Sequence, residues 1–158
     1  MGEKTVRYEI RDRVEEIIKK KKIDRTRFYE YSKTDYQKVI TNFYYAYADY
    51  QKYPKVSMDH MWLHVRENLK QQRIALISER DYGYEKMVRS IKEQMHYNWE
   101  HKLFLILEGW VYEGYIDEML DILAELDILD VSEFYIVTPK YDKVALYTDD
   151  GECVCVWE

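Results

Sequence analysis

The closing stretch "EFYIVTPKYDKVALYTDDGECVCVWE" (Glu133–Glu158) splits into three runs of β-branched and aromatic residues separated by two groups of turn residues. Pro139 opens the first gap. Asp149, Asp150 and Gly151 fill the second, where Asp-Gly favours the left-handed bend of a tight hairpin. The stretch therefore predicts an antiparallel β-meander. In its last run Val154 and Val156 share one side of a strand, and Cys153, Cys155 and Trp157 share the other. Neither side is polar, which predicts a sheet covered at least partly on both faces.

Working back from the meander, "KLFLILE" (Lys102–Glu108) and "RIALIS" (Arg73–Ser78) are short apolar runs of the kind that form buried strands. Between them "YEKMVRSIKEQMHYN" returns to helical spacing through Met87, Val88, Ile91 and Met95. "GYIDEMLDILAEL" predicts a short helix with Ile116, Met119, Leu120 and Leu123 inward. Nearer the N-terminus, Val6, Ile10, Val14, Ile17 and Ile18 make the apolar stripe of a first helix. The lysines at 19–22 lie in its last turn, where cations suit the negative end of the helix dipole. In "SKTDYQKVITNFYYAYADYQKYPK" (Ser32–Lys55), Thr34 and Gln37 fit a capping box. Tyr36, Val39, Ile40, Phe43 and Tyr47 form the stripe of this second helix, and Pro54 ends it. Tyr44, Tyr45, Tyr50 and Tyr53 fall away from that stripe, so several of these rings are expected to be partly exposed or packed on neighbours. A third helix is predicted from Ser57 to about Leu69. The fold class is α+β: a helical N-terminal half packed on a roughly five-stranded, mainly antiparallel sheet. Residues 1–158 read as a single domain, mainly helical to residue 70 and mixed thereafter.

Composition narrows the class further. Hydrophobic residues at 47% and charged residues at 34% suit a globular chain and exclude low-complexity disorder. Seventeen tyrosines are a surplus; each couples a large apolar ring to a hydroxyl that needs a partner when buried. No run approaches the ~20 apolar residues of a membrane helix, and the charged N-terminus has no apolar signal core, so a cytoplasmic protein is expected. Cys153 and Cys155 are too poorly aimed along one strand for an ordinary disulfide, and nothing basic nearby would activate a thiol.

Charge divides the chain. Residues 1–100 hold 21 Lys and Arg against 16 Asp and Glu, while residues 101–158 hold 3 against 14. An acidic closing third repels nucleic acid and membrane surfaces and attracts basic proteins.

Chemistry-bearing motifs are sparse. No GxGxxG, GxxxxGK[ST] or nucleophile elbow occurs, and no cofactor is expected. His60 and His64 share a helix face in "DHMWLH", and His96 and His101 follow in "MHYNWEH". These four histidines keep a metal-dependent enzyme open as an alternative, although HxxxH lacks the central Glu of the zincin motif. The remaining cluster is "EGWVYEGYIDE" (Glu108–Glu118), which sets Trp110, Tyr112 and Tyr115 among Glu113, Asp117 and Glu118 between a strand and a helix. Trp and Tyr dominate interface energetics, and acidic neighbours steer a basic partner.

The runs "LFLILEGWVYEGYIDEML" and "EFYIVTPKYDKVALYTDDG" resemble small bacterial families that end in a FYIV-x-x-KYDWL-type hairpin. Proteins of that kind are similar to the immunity partners found beside secreted polymorphic toxins. The resemblance covers Leu103–Glu158, about a third of the chain, and its motif is structural rather than catalytic. Lys143 and Val144 stand where a Trp-Leu pair is the pattern, and Asp149 and Asp150 stand where histidines are frequent. A site carried by that turn is therefore not transferred.

The expectation is a cytoplasmic, non-enzymatic protein-binding protein, of the immunity type that neutralises a basic toxin or nuclease. Its partner-binding residues would be Trp110, Tyr112, Glu113, Tyr115, Asp117, Glu118, Asp149 and Asp150. A homo-oligomer using the tyrosine-rich second helix as a dimer face is a third reading.

Overall fold

The hydrophobic pattern of Lys102–Leu107, K-L-F-L-I-L, has no polar side after its first residue, and a strand of that kind must be buried on both faces. The computed structural model describes residues 10–48, 64, 65, 68, 76–77, 102–107, 110–126, 134–141, 143–147 and 153–156, and among them it places this strand third of seven in one sheet. The strands are β1 (Phe28–Glu30), β2 (Leu76–Ile77), β3 (Lys102–Leu107), β4 (Trp110–Tyr115), β5 (Phe134–Val137), β6 (Val144–Tyr147) and β7 (Cys153–Val156). Their order is β1-β4-β3-β5-β6-β7-β2, and every neighbouring pair is antiparallel.

The expected meander is β5-β6-β7, and the expected apolar strands are β3 and β2. The sheet is larger than the sequence suggested by β1 and β4. Tyr31 N–H donates to the Val111 carbonyl at 2.8 Å and Tyr115 N–H to the Arg27 carbonyl at 2.9 Å, which extends the β1–β4 pairing beyond the three residues of β1.

Period-2 alternation sends β3 to two cores. Leu103, Leu105 and Leu107 join Tyr112, Phe134, Ile136 and Ala145 beneath two helices, α1 (Ile10–Lys21) and α3 (Ile116–Glu125). Phe104 and Ile106 join Val111, Tyr135, Val137, Val144 and Leu146 beneath α2 (Lys33–Tyr47). The N-terminal helices thus pack on the sheet as α+β requires, one on each face. On α1 the buried residues are Val14, Ile17 and Ile18, as the stripe predicts. On α3 they are Ile116, Met119, Ile122 and Leu123, with Leu120 half-buried at the margin.

Local signals shift two boundaries. Ser32, not Thr34, caps α2: its Oγ accepts from the Asp35 N–H at 3.2 Å. The helix ends at Tyr47, ahead of Pro54. Of the rings off the predicted stripe, Tyr44 is packed in the core and Tyr45 is 49% exposed, while Tyr50 and Tyr53 lie outside the described residues; Tyr47 is in the core, as the stripe predicts. Tyr44 and Tyr47 of α2 therefore fill a core, and Tyr36 is half-buried. Among residues 49–101, His64, Val65 and Asn68 are helical, in keeping with the predicted third helix; the helix predicted through Met87–Met95 lies outside the described residues. No described helix is long and apolar enough to cross a membrane.

Candidate functional site

Three strands side by side, β1, β4 and β3, carry polar residues onto one end of the face that α2 covers. The register opposes Tyr29 to Glu113, Phe104 to Glu113, and Lys102 to Tyr115. Cross-strand neighbours on one face lie within side-chain reach, so Glu113 becomes the centre of a ring. The Tyr29 hydroxyl donates to Glu113 Oε1. The Lys102 ammonium donates to the Tyr29 hydroxyl at 3.1 Å and lies 3.9 Å from Glu113 Oε1. It also stands 5.3 Å from the ring centroids of both Tyr29 and Tyr115. The Glu113 side chain is 12% exposed and that of Lys102 33%. A carboxylate, two aromatic faces and a phenol oxygen thus enclose one ammonium.

The electrostatics follow from that packing. Burial, then the hydrogen bond to the Glu113 carboxylate, pushes the Tyr29 phenol above its ordinary pKa. Burial and the nearby Glu113 charge push the Tyr31 phenol up as well. The hydrogen bond to Tyr29 holds the Lys102 ammonium above the usual lysine range. Each shift favours neutral phenols and a charged lysine around Glu113 at neutral pH. Tyr31 lies edge-on to Phe104 at 5.4 Å, and Tyr141 stacks on the other side of this aromatic row, 6.0 Å from Phe104.

The alternation of β4 splits the expected partner-binding cluster. Trp110 and Tyr112 face α1 and α3, whereas Glu113 and Tyr115 lie on the α2 side. Tyr112 is fully buried, and its hydroxyl donates to Glu15 at 3.0 Å, so its ring presents nothing to a partner. Trp110 is half-buried, with the Arg11 guanidinium 4.8 Å from its ring; Arg11 in turn is 2.5 Å from Glu30. Tyr115 lies under Arg27 at 4.1 Å, and Arg27 pairs with Glu118 at 3.0 Å; among the described residues Glu118 Oε1 is buried without a hydrogen-bond partner. Asp117 is exposed on α3, one turn from exposed Asp121. Asp149 and Asp150 lie outside the described residues. The single outward patch expected from "EGWVYEGYIDE" is therefore corrected to two sites on opposite faces, because the stretch is a strand and not a connector.

Of the histidines, His60, His96 and His101 lie outside the described residues. His64 Nδ1 is 2.5 Å from the hydroxyl of buried Tyr44, an interaction between two helical segments on the sheet's second face. No group of three or more His, Cys, Asp or Glu with metal-binding geometry occurs among the described residues.

Sequence reasoning missed Tyr29, Tyr31 and Lys102. Nothing local marks them, since Lys102 and Tyr29 are 73 residues apart and meet only through strand pairing. The alternation of Trp110–Tyr115 was the available signal. Chemically the ring suits recognition of a positive group: an ammonium over a tyrosine face gains from the ring quadrupole, and a shielded carboxylate supplies the countercharge.

Residues 6–158 match the model of a family of unknown function, DUF6756, and the chain belongs to that family. No curated protein and no solved structure matches the chain.

Proposed function

We propose that this member of the DUF6756 family is a non-enzymatic, cytoplasmic binding protein that grips a basic partner protein. The observation that carries the reading is the Glu113 ring, which already encloses an ammonium between Tyr29 and Tyr115. Support comes also from the acidic closing third, whose 14 carboxylates against 3 cations would draw a positive surface inward. Exposed Asp117, two residues along from Tyr115, adds negative charge at that strand end. The C-terminal resemblance to immunity partners of polymorphic toxins makes a basic toxin domain, such as a nuclease, the natural candidate. Occlusion of its active site by carboxylates would then imitate phosphate charge.

Affinity capture from the source cell, followed by a salt titration of the complex, tests this. A basic protein should be captured, and its affinity should fall as ionic strength rises, because charge pairs at a partly wet interface are screened. Capture of an acidic or neutral protein, or binding indifferent to salt, would sink the reading.

A further inference from the structure

We infer that Lys102 is a displaceable plug, and that the ring of Tyr29, Glu113 and Tyr115 is a subsite for the ammonium group of a partner lysine. The inference rests on the basic-partner reading above and names the contact through which it would act. Within the ring the acceptors are fixed and the cation is not. Glu113 is central in β4, 12% exposed, and held by the Tyr29 hydroxyl. Lys102 is the first residue of β3, at the strand end, and reaches the ring through a flexible four-carbon stem. Its ammonium is 3.9 Å from the carboxylate, at the outer limit of an ion pair, and a third of the side chain meets water. Such a partly exposed pair contributes little to stability, and the hydrogen bond of Lys102 to the Tyr29 hydroxyl and its two ring contacts are ones an arriving ammonium would remake, so the exchange costs little. An arriving partner would exclude water from the ring and strengthen the same cation–aromatic and charge contacts for its own lysine. The resident group thus shows which ligand chemistry the ring accepts: a primary ammonium on an alkyl stem.

The probe is n-butylammonium, titrated into the full chain and followed by NMR shifts of the tyrosine rings. Lys102→Ala empties the ring and should bind the probe about tenfold more tightly than the unaltered protein. Adding Glu113→Gln to Lys102→Ala should abolish that gain. Far-UV circular dichroism checks folding, and Lys102→Ser repeats the test with a small polar side chain should the alanine variant not fold. A single variant that binds no tighter than the unaltered chain overturns the inference, as does a double variant that binds as tightly as the single. Failure of the two readings is separable. If the probe binds as expected but no basic protein is captured, the partner reading fails alone. A captured basic protein whose affinity neither Lys102→Ala nor Glu113→Gln alters overturns the plug alone.

Discussion

Phe28 of β1 stands directly across from Gly114 of β4, and its ring occupies the space that a side chain at position 114 would need. A Cβ added to Gly114 would overlap Cδ2 of that ring and come 3.1 Å from the Arg27 carbonyl. Phe28 cannot readily yield, because it is fully buried and stacked on Tyr112 with centroids 5.2 Å apart. Gly114 is therefore what lets β1 dock, and β1 is what brings Tyr29 to Glu113.

Gly114→Ala should accordingly destabilise the fold by about 1–3 kcal/mol, the usual range for forcing an extra group into a packed core. Phe28→Leu makes room at position 114, so the double variant should lose less than the two single losses combined. Urea denaturation of the four proteins checks this. Strict additivity would mean that the ring and the glycine are energetically independent.

Two non-glycine residues among those described, Lys22 and Tyr141, have left-handed backbone and should respond oppositely to glycine. Lys22, at φ 54°, follows α1; its N–H bonds to the Lys19 carbonyl at 3.3 Å, and that of Ile23 to Ile18 at 3.0 Å. This is a Schellman ending, in which glycine is the preferred residue, and Lys22 is exposed. Lys22→Gly should stabilise by about 0.5–1 kcal/mol by removing the Cβ penalty. Tyr141, at φ 57°, sits in the β5–β6 turn, where its ring stacks on Phe104 and its carbonyl accepts from the Tyr47 hydroxyl at 2.8 Å. Tyr141→Gly should be destabilising, since the lost aromatic packing exceeds the relieved strain. Thermal melts that move the same way for both variants would contradict this account.

Ser32→Ala removes the α2 cap and should cost about 1 kcal/mol. Thr34→Ala, inside the first turn and exposed, should be near neutral. The pair separates the cap found in the structure from the one the sequence pattern suggested, and equal losses would favour neither. Chemical denaturation suffices to measure them.

The α+β class and the meander were legible because they depend on local patterns: apolar runs of strand length, and turn residues between them. β4 was not, because Glu113 and Gly114 break its apolar alternation and give "WVYEGY" the look of a connector. Its neighbour β1 has three residues, too few to carry a period. Without those two strands the Glu113 ring cannot be foreseen, since each of its members is ordinary in its own segment. The same error joined Trp110 and Tyr112 to Glu113 and Tyr115. On a loop they could share a surface, whereas on a strand each successive side chain turns to the opposite face. Tyr44 shows the converse case: helical spacing placed it off the stripe of α2, but the core on that side wraps far enough to bury it and supply His64 as its partner.

The Tyr112–Glu15 hydrogen bond sets limits to stability at both ends of the pH scale. Burial, reinforced by the Glu15 charge, pushes the Tyr112 phenol well above its ordinary value of 10.0. The folded state then keeps a proton that the unfolded chain would release. That contribution is whole below pH 10 and is lost as the pH climbs toward the folded-state value. Glu15 behaves in the opposite sense. Burial alone would raise its carboxyl, but the hydrogen bonds from Arg25 and Tyr112 outweigh burial and hold it below the ordinary 4.5. Its contribution is present above that value and is lost as the pH falls through the lowered one. Tyr29, Tyr31 and Tyr141, also raised chiefly by burial, add to the alkaline limb. Stability measured by urea denaturation across pH should therefore be flat near neutrality, fall below pH 4.5, and fall again above pH 10. Tyr112→Phe should lower the plateau by about 1 kcal/mol, because Glu15 loses a donor, and should flatten the alkaline limb. Ultraviolet titration should show the phenolate of Tyr112 appearing only with unfolding. An unaltered alkaline limb in Tyr112→Phe would mean that this phenol titrates freely and that the buried pair does not hold its proton.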